Sequence, residues 1–322
     1  MINTDILVIG AGLAGLTLAD HLARQGAHVR LIEKSGVPGG RLSTRQSEWG
    51  SFDHGAQYLT SRTPAFTALI NRLAQEGDMA VWKPDGKDSA RPWWVGQPGM
   101  STIGSVLARG LDVDFGRHAR TISRQDGRYV VEAGHGDGIA RHYSAGQVVA
   151  AIPAPQAHAL LAPLDTAFGP LEAVRMAPCW TALLAFDPPL GDQVPDLIRG
   201  GAGDVLALIA RNSSKPGRSG ETFVLHAAPG WSRSHLEAAP DMLEAEMLDA
   251  MRAQTGLGAD LPVPVHVDLH RWRHALVEMP LDLPFIGSAD DTLFACGDWC
   301  LDARAEAAHQ SAHALARHIM SL

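Results

Sequence analysis

The chain has 322 residues, 46% hydrophobic and 19% charged, a composition that suits a soluble globular protein and a length that suits two domains. Its net charge of −8 argues against a general nucleic-acid binder, which needs concentrated Lys and Arg to neutralise phosphates. No apolar run approaches the ~20 residues needed to cross a bilayer. Met1–Asp5 carries no basic leader, and Cys179, Cys296 and Cys300 show neither C-x-x-C nor zinc spacing. The expectation is therefore a cytoplasmic protein without a metal, a membrane partner or a nucleic-acid partner.

The first predicted element is a strand over Ile6–Ile9 that leads into Gly10-Ala11-Gly12-Leu13-Ala14-Gly15. An amphipathic helix to Gln25 follows, then Gly26, a second strand over His28–Ile32, and Glu33. Strand, glycine turn, helix, strand and acid stand in the order of a dinucleotide-binding βαβ unit. Gly10 serves the tight turn, Gly12 lets backbone approach a pyrophosphate, and Gly15 lets the helix pack against the strand. Glu33 can accept from a ribose diol. NAD and FAD both remain open at this point.

Eight residues past Glu33 comes Arg41, in Gly39-Gly40-Arg41-Leu42-Ser43-Thr44, a loop suited to wrapping a pyrophosphate. The combination GxGxxG…E…GGRxxT resembles the flavin-binding amine oxidase superfamily, which binds FAD. Phe52-Asp53-His54-Gly55-Ala56-Gln57-Tyr58 resembles the D-x-G-A-Q-Y segment of one branch, the renalases. Asp53 fits a turn or cap as well as a functional role, and His54 reads as incidental.

Pro64 opens a helix to Glu76 with Phe66, Leu69, Ile70 and Leu73 at helical spacing. Trp93-Trp94 suit a core as well as a pocket wall, and Ser101 can N-cap a helix to Ala108. Between 111 and 150, β-like runs at Val113–Phe115, Tyr129–Glu132 and Gln147–Ile152 alternate with glycine turns, as in a meander returning to a sheet strand. From 155 to 280, strands are expected at Trp180–Phe186, Val205–Ala210, Thr222–Ala227 and Val265–Leu269, with an amphipathic helix over 240–254. The donor-rich Arg211-Asn212-Ser213-Ser214-Lys215-Pro216 and the imidazole of His226 suit a solvated loop and a core histidine when taken alone. Alongside Trp94-Val95-Gly96-Gln97-Pro98-Gly99-Met100-Ser101 and His270-Arg271-Trp272 they resemble bacterial renalases in the same order. The last strand ends at Cys296-Gly297-Asp298-Trp299-Cys300, before a helix from about 303 to 320.

The resemblance covers nearly the whole chain. It implies an α/β protein with a Rossmann-type FAD-binding domain (amine oxidase or p-hydroxybenzoate hydroxylase-like) over 1–62, 99–154 and 281–322. An interleaved α+β substrate domain on an antiparallel sheet would take 63–98 and 155–280. Noncovalent FAD would be held by Gly10, Gly12, Ala14, Gly15, Glu33, Lys34, Gly40, Arg41, Gln57, Tyr58, Ala119, Gly297, Asp298 and Ala307. The implied activity is oxidation of 2- and 6-dihydro isomers of NAD(P)H to NAD(P)+, with hydride passing to flavin N5 and electrons to O2 as hydrogen peroxide. His226 and Asn212 would position that small-molecule substrate, without a general base, and Lys215 or Arg211 would meet its phosphate. Two other readings stay open, a flavin amine oxidase and a noncatalytic FAD-binding sensor or scaffold. The final helix departs from the renalase pattern V-E-G-A-W-L-S-G, reading Ala305-Glu306-Ala307-Ala308-His309-Gln310-Ser311-Ala312, which puts pocket shape in question. His274 also stands where the pattern has an aromatic residue.

Overall fold

A computed structural model describes residues 1–134 and 138–322. In chain order the first elements are β1 (Ile2–Ile9), α1 (Leu13–Arg24), β2 (Val29–Glu33), β3 (Arg45–Ser47), β4 (Gly50–Phe52) and α2 (Pro64–Gln75). Next come β5 (Met79–Trp82), β6 (Trp93–Gly96), α3 (Ser101–Leu107), β7 (Asp112–Phe115), β8 (His118–Gln125) and β9 (Arg128–Gly134). The middle of the chain holds β10 (Arg141–Ala150), α4 (Ala154–Leu161), β11 (Arg175–Ala185), β12 (Leu197–Arg199), β13 (Leu206–Arg211) and β14 (Thr222–Ala227). The last part holds α5 (Pro229–Ser234), α6 (Pro240–Thr255), β15 (His266–Met279), β16 (Ile286–Gly287), β17 (Leu293–Ala295) and α7 (Ala305–Ile319). Among the described residues no helix is long and apolar enough to cross a membrane.

Two compact units emerge. The first comprises Met1–Gly40, Ile103–Met176 and Val277–Leu322; the second comprises Arg41–Thr102 and Ala177–Leu276. These bounds differ from the expected functional division at 41–62, 99–102, 155–176 and 277–280. Packing explains the difference. Phe52 is buried with Leu183, Ala185 and Val224, whereas Ala154, Ala157, Leu161, Phe168 and Leu171 join the apolar cluster of β1, β10 and β17.

The first unit is built on a sheet in the order β16-β17-β10-β1-β2-β7, parallel from β17 to β7. β1 carries Leu7 and Val8 fully buried, the pattern of a central parallel strand covered on both faces. The expected meander is β8-β9-β10, antiparallel throughout. Val113–Phe115 is not part of it, because β7 extends the parallel sheet beside β2. β8 (HARTISRQ) is too polar to read as a strand from sequence, since its ladder rather than burial defines it. The second unit has a five-stranded sheet, β12-β13-β14-β11-β15, with antiparallel pairs at β12·β13, β13·β14 and β14·β11. α6 buries Leu243, Met247, Leu248 and Met251 in the same apolar cluster as Ile209 and Leu225.

Gly15 fixes how closely α1 can approach β1. A Cβ there would lie 1.9 Å from Gly10 O and 3.3 Å from the Ala151 methyl. Gly15→Ala should cost at least the ~1–3 kcal/mol typical of overpacking, lowering the melting temperature by about 2 °C or more. An unchanged melting curve would show that the glycine turn relaxes freely.

Candidate active site

In the first unit the carboxyl ends of β1, β10 and β17 are level, with Ile9 opposite Ala150 and Ala150 opposite Ala295. The residues that follow them, Gly10, Ala151 and Cys296-Gly297, therefore share the sheet edge at which open parallel sheets bind ligands. Gly10 has φ +105°, and a Cβ on it would meet Ala151 O at 2.6 Å. Gly12 caps α1 without a side-chain bond and has open space where a Cβ would stand. The first N–H groups of α1 thus face a glycine-lined opening, an arrangement suited to a pyrophosphate. Gly39 closes beside it, donating to Ala11 O at 2.8 Å and bridging Gly12, and Gly40 has φ +57°.

Glu33 is buried. Its Oε2 accepts from Ala11 N–H, and its Oε1 from Ser35 N–H and Oγ–H, all at 2.8 Å. A carboxylate offers about four acceptor sites, so one remains on Oε2 for a ribose hydroxyl. The chain entering β8 runs alongside, with Arg117 N–H donating to Glu33 O at 2.7 Å and Gly116 N–H to Ser35 O at 3.0 Å. This brings buried Ala119 into the neighbourhood of Glu33, while Lys34 is exposed. Gly297 N–H donates to Ser311 Oγ on α7 at 3.0 Å, fixing the Gly297-Asp298 turn against that helix. Asp298, Ala14 and Ala307 are buried. Burial raises the Cys296 thiol well above its ordinary pKa and pushes Cys300 up to about 12, so neither is poised to attach covalently to a flavin. The open helix terminus, the spare acceptor on Glu33 and the Gly297-Asp298 turn fit a noncovalent flavin dinucleotide.

The second unit gathers the expected substrate residues around Asp53, whose side chain is fully buried. Its carboxylate accepts from Thr44 Oγ (2.7 Å), Met100 N–H (2.9 Å), Lys215 Nζ (3.2 Å) and Arg218 Nη2 (2.5 Å). Lys215 also donates to Gln57 Oε1 at 2.8 Å and Asn212 Oδ1 at 3.0 Å. Asn212 accepts in addition from Asp53 N–H and donates to Ser51 O, so its amide ties the β4 strand to the 212–215 turn. Arg211 is held by Asp196, Glu221 and the carbonyls of Gly191 and Val194. Both cations expected to meet a substrate phosphate are thus engaged within the unit. Tyr58 stacks on Trp93 at 4.2 Å and bonds Arg199 through its hydroxyl, and Arg41 donates to Ala275 O.

One face of β15 adds His266 and Asp268, which the sequence reading passed over, to the His270-Arg271-Trp272 motif. His266 stacks on Phe52, Asp268 and His270 both bond Arg45, and Trp272 stacks on His54 while donating Nε1–H to His54 O at 2.9 Å. His270 meets His54 edge-on at 4.9 Å. The signal was available: His266, Asp268, His270 and Trp272 alternate with period two, as side chains on one strand face do. The strand was expected to end at Leu269 because its second half is charged; it runs to Met279.

Burial, then neighbouring charge, sets the protonation states. His54, His226 and His270 are lowered to about 4, chiefly by burial, with His270 and Arg45 acting on His54, Lys215 on His226 and Arg45 on His270. Burial alone would raise Asp53, but Lys215, Arg218 and the donors from Met100 and Thr44 hold it below the usual carboxylate range. Burial brings Lys215 down to about 8 against the pull of Asp53.

Two outcomes follow from these charges. Asp53→Asn leaves Lys215 and Arg218 buried without a carboxylate, and should destabilise the fold by about 3–5 kcal/mol in urea unfolding; a loss below about 1 kcal/mol would mean that the cations find other partners. The three histidines bind no proton in the folded state down to about pH 4, whereas the unfolded chain takes them up near 6.5. Their contribution is complete above 6.5 and is lost as pH falls through the folded values. The melting temperature should therefore drop between pH 6.5 and 4, and His270→Gln should flatten that drop; an identical slope would remove His270 from the account.

Known proteins share these features. Residues 8–73 match the NAD(P)-binding Rossmann-like domain, and residues 85–320 match the flavin containing amine oxidoreductase model. A hydroxyneurosporene desaturase of Cereibacter sphaeroides is 37% identical over 90 residues, 28% of this chain and 18% of that protein. A putrescine oxidase of Kocuria rosea is 28% identical over 109 residues, 32% of this chain and 23% of that protein. The chain thus aligns with less than a quarter of the length of either. Among solved structures, a candidate protoporphyrinogen oxidase from Exiguobacterium sp. 255-15 superposes with a TM-score of 0.76 at 14% identity, covering 98% of both chains. Wild-type putrescine oxidase bound to putrescine gives 0.70 at 13% identity, covering 100% of both. At such identities the likeness is one of fold, and it is the family model over most of the chain that decides membership. The chain belongs to the flavin containing amine oxidoreductase family, and FAD is the cofactor its glycine-lined cradle fits.

Proposed function

We propose that the protein is a renalase-like FAD-dependent oxidoreductase that oxidises 2- and 6-dihydro isomers of NAD(P)H to NAD(P)+. Bound FAD would supply the two-electron acceptor at N5, with O2 and a proton then consumed to give hydrogen peroxide. The observation that carries this reading is the charge state of the second unit's cluster. His54, His226 and His270 are neutral imidazoles, and the carboxylates among them, Asp53 and Asp268, face Lys215, Arg218 and Arg45. Such a surface suits a neutral dihydropyridine ring. A protonated amine would find a surplus of positive charge there.

A dihydropyridine expels hydride with the electron density of its own ring nitrogen, so orientation is what the residues must supply. His226 and the His54–Trp272 stack are assigned that role. Asn212, with its amide engaged by Ser51, Asp53 and Lys215, holds the β4 strand in place and acts on substrate only through it. Amine oxidation is the second reading, favoured by the fold shared with putrescine oxidase.

The test is anaerobic mixing of the FAD-loaded protein with borohydride-generated NADH isomers and, separately, with primary amines, while flavin absorbance is followed. Rapid bleaching by the isomers alone is expected. Bleaching by amines alone would establish the second reading, and bleaching by neither would favour a noncatalytic FAD-binding protein. His226→Ala should slow reduction by the isomers about 10- to 100-fold, the range expected for lost positioning; an unchanged rate and affinity would remove His226 from the site.

A further inference from the structure

The amide of Gln57 has unlike neighbours at its two ends. Its Oε1 lies 2.8 Å from Lys215 Nζ, a group that only donates. Its Nε2 faces the carbonyl oxygens of Asp53 and Gly55, which only accept. The reversed amide would set oxygen against two carbonyl oxygens and NH2 against an ammonium, so one orientation stands. The same Nε2 lies 3.3 Å from Nε2 of His226. An amide nitrogen offers donors and no acceptor, so a ring N–H pointing at it would have nothing to bond.

We propose that Gln57, its amide oriented by Lys215, keeps the ring proton of His226 off Nε2 and on Nδ1, and that burial together with the Lys215 ammonium keeps the imidazole uncharged. For catalysis this rests on the reading that His226 meets substrate; the tautomer itself does not. Gln57 and Lys215 become positioning residues, and His226 neither takes nor gives a proton. That condition suits hydride loss from a dihydropyridine and excludes His226 as the base of an amine oxidation. The groups facing the imidazole are Lys215, backed by Asp53 and Arg218, and the backbone of His54, which is hydrogen-bonded to the ring. Burial and the Lys215 charge hold the ring at about 4, in accord with this arrangement.

The experiment is 15N NMR of the FAD-loaded protein labelled at histidine, with His226→Gln assigning the ring signals. Wild type should show a bare Nε2 and a protonated Nδ1 from about pH 5.5 to 9, the range in which an ordinary histidine would titrate. Gln57→Leu removes the amide, and a measurable Nε2–H population should appear. Lys215→Met leaves Asp53 and Arg218 as a neutral pair. The proton should stay on Nδ1, because the two carbonyls still hold the amide, while the His226 pKa rises from about 4 towards 6.5. A purely structural role would not separate the tautomer from the charge in this way. A protonated Nε2 in wild type, a Gln57→Leu spectrum identical to wild type, or a Lys215→Met titration that does not move would each overturn the proposal. The expected tautomer together with an undiminished reductive rate in His226→Ala would instead overturn the functional reading and leave the tautomer assignment standing.

Discussion

The Asp53 carboxylate is the constraint on which the second unit depends. Its four donors come from residues 44, 100, 215 and 218, so one buried anion draws distant stretches of chain to a single point. A buried charge of this kind is costly unless fully bonded, and here every donor is in place. The backbone around it has no slack either. A Cβ on Gly55 would lie 2.0 Å from Arg41 O, and one on Gly99 2.7 Å from Thr44 Oγ. The D-x-G-A-Q-Y segment is therefore best understood as an anchor from which Gln57 and His54 project.

From that anchor the electrostatics follow without further machinery. One carboxylate meets two cations, and the nearby histidines are kept neutral first by burial and then by neighbouring positive charge. A cluster of neutral imidazoles and one indole is poor at acid–base work and good at stacking. The first unit has the complementary design. There the polar groups are backbone N–H groups at a helix terminus and the acceptor of Glu33, groups of a kind that suits phosphates and a ribose. The two units thus offer different kinds of polar group.

Much of the first unit was legible because its constraints are local. The glycine turn, α1, β2 and Glu33 stand within about 30 residues, the size of one βαβ unit, and Gly10 and Gly15 each answer a contact that can be named. The second unit was legible only in outline. Asp53 fitted a turn as well as a functional role because its partners lie up to 165 positions away in sequence. Lys215 and Arg211 looked like free donors for the same reason. β15 was cut short because Arg271, Arg273 and Glu278 break an apolar reading, although the alternation of His266, Asp268, His270 and Trp272 reports a strand face with polar work to do. β8 escaped because a strand held by its ladder needs no apolar signature.

The last helix shows how a departure from a family pattern can be read physically. In place of the bulky apolar pair of the renalase pattern, α7 carries His309-Gln310. His309 lies over His313, with rings 6.1 Å apart, and His313 meets His21 of α1 edge-on at 4.8 Å. His309 is lowered first by burial and then by His313, and His313 first by burial and then by His21, so the three form one imidazole cluster between α1 and α7. The substitution therefore belongs to the packing of two helices in the first unit. Ser311, which the pattern retains, is the residue that bonds Gly297 N–H. On α7, then, Ser311 serves the Gly297-Asp298 turn while His313 serves the contact with α1.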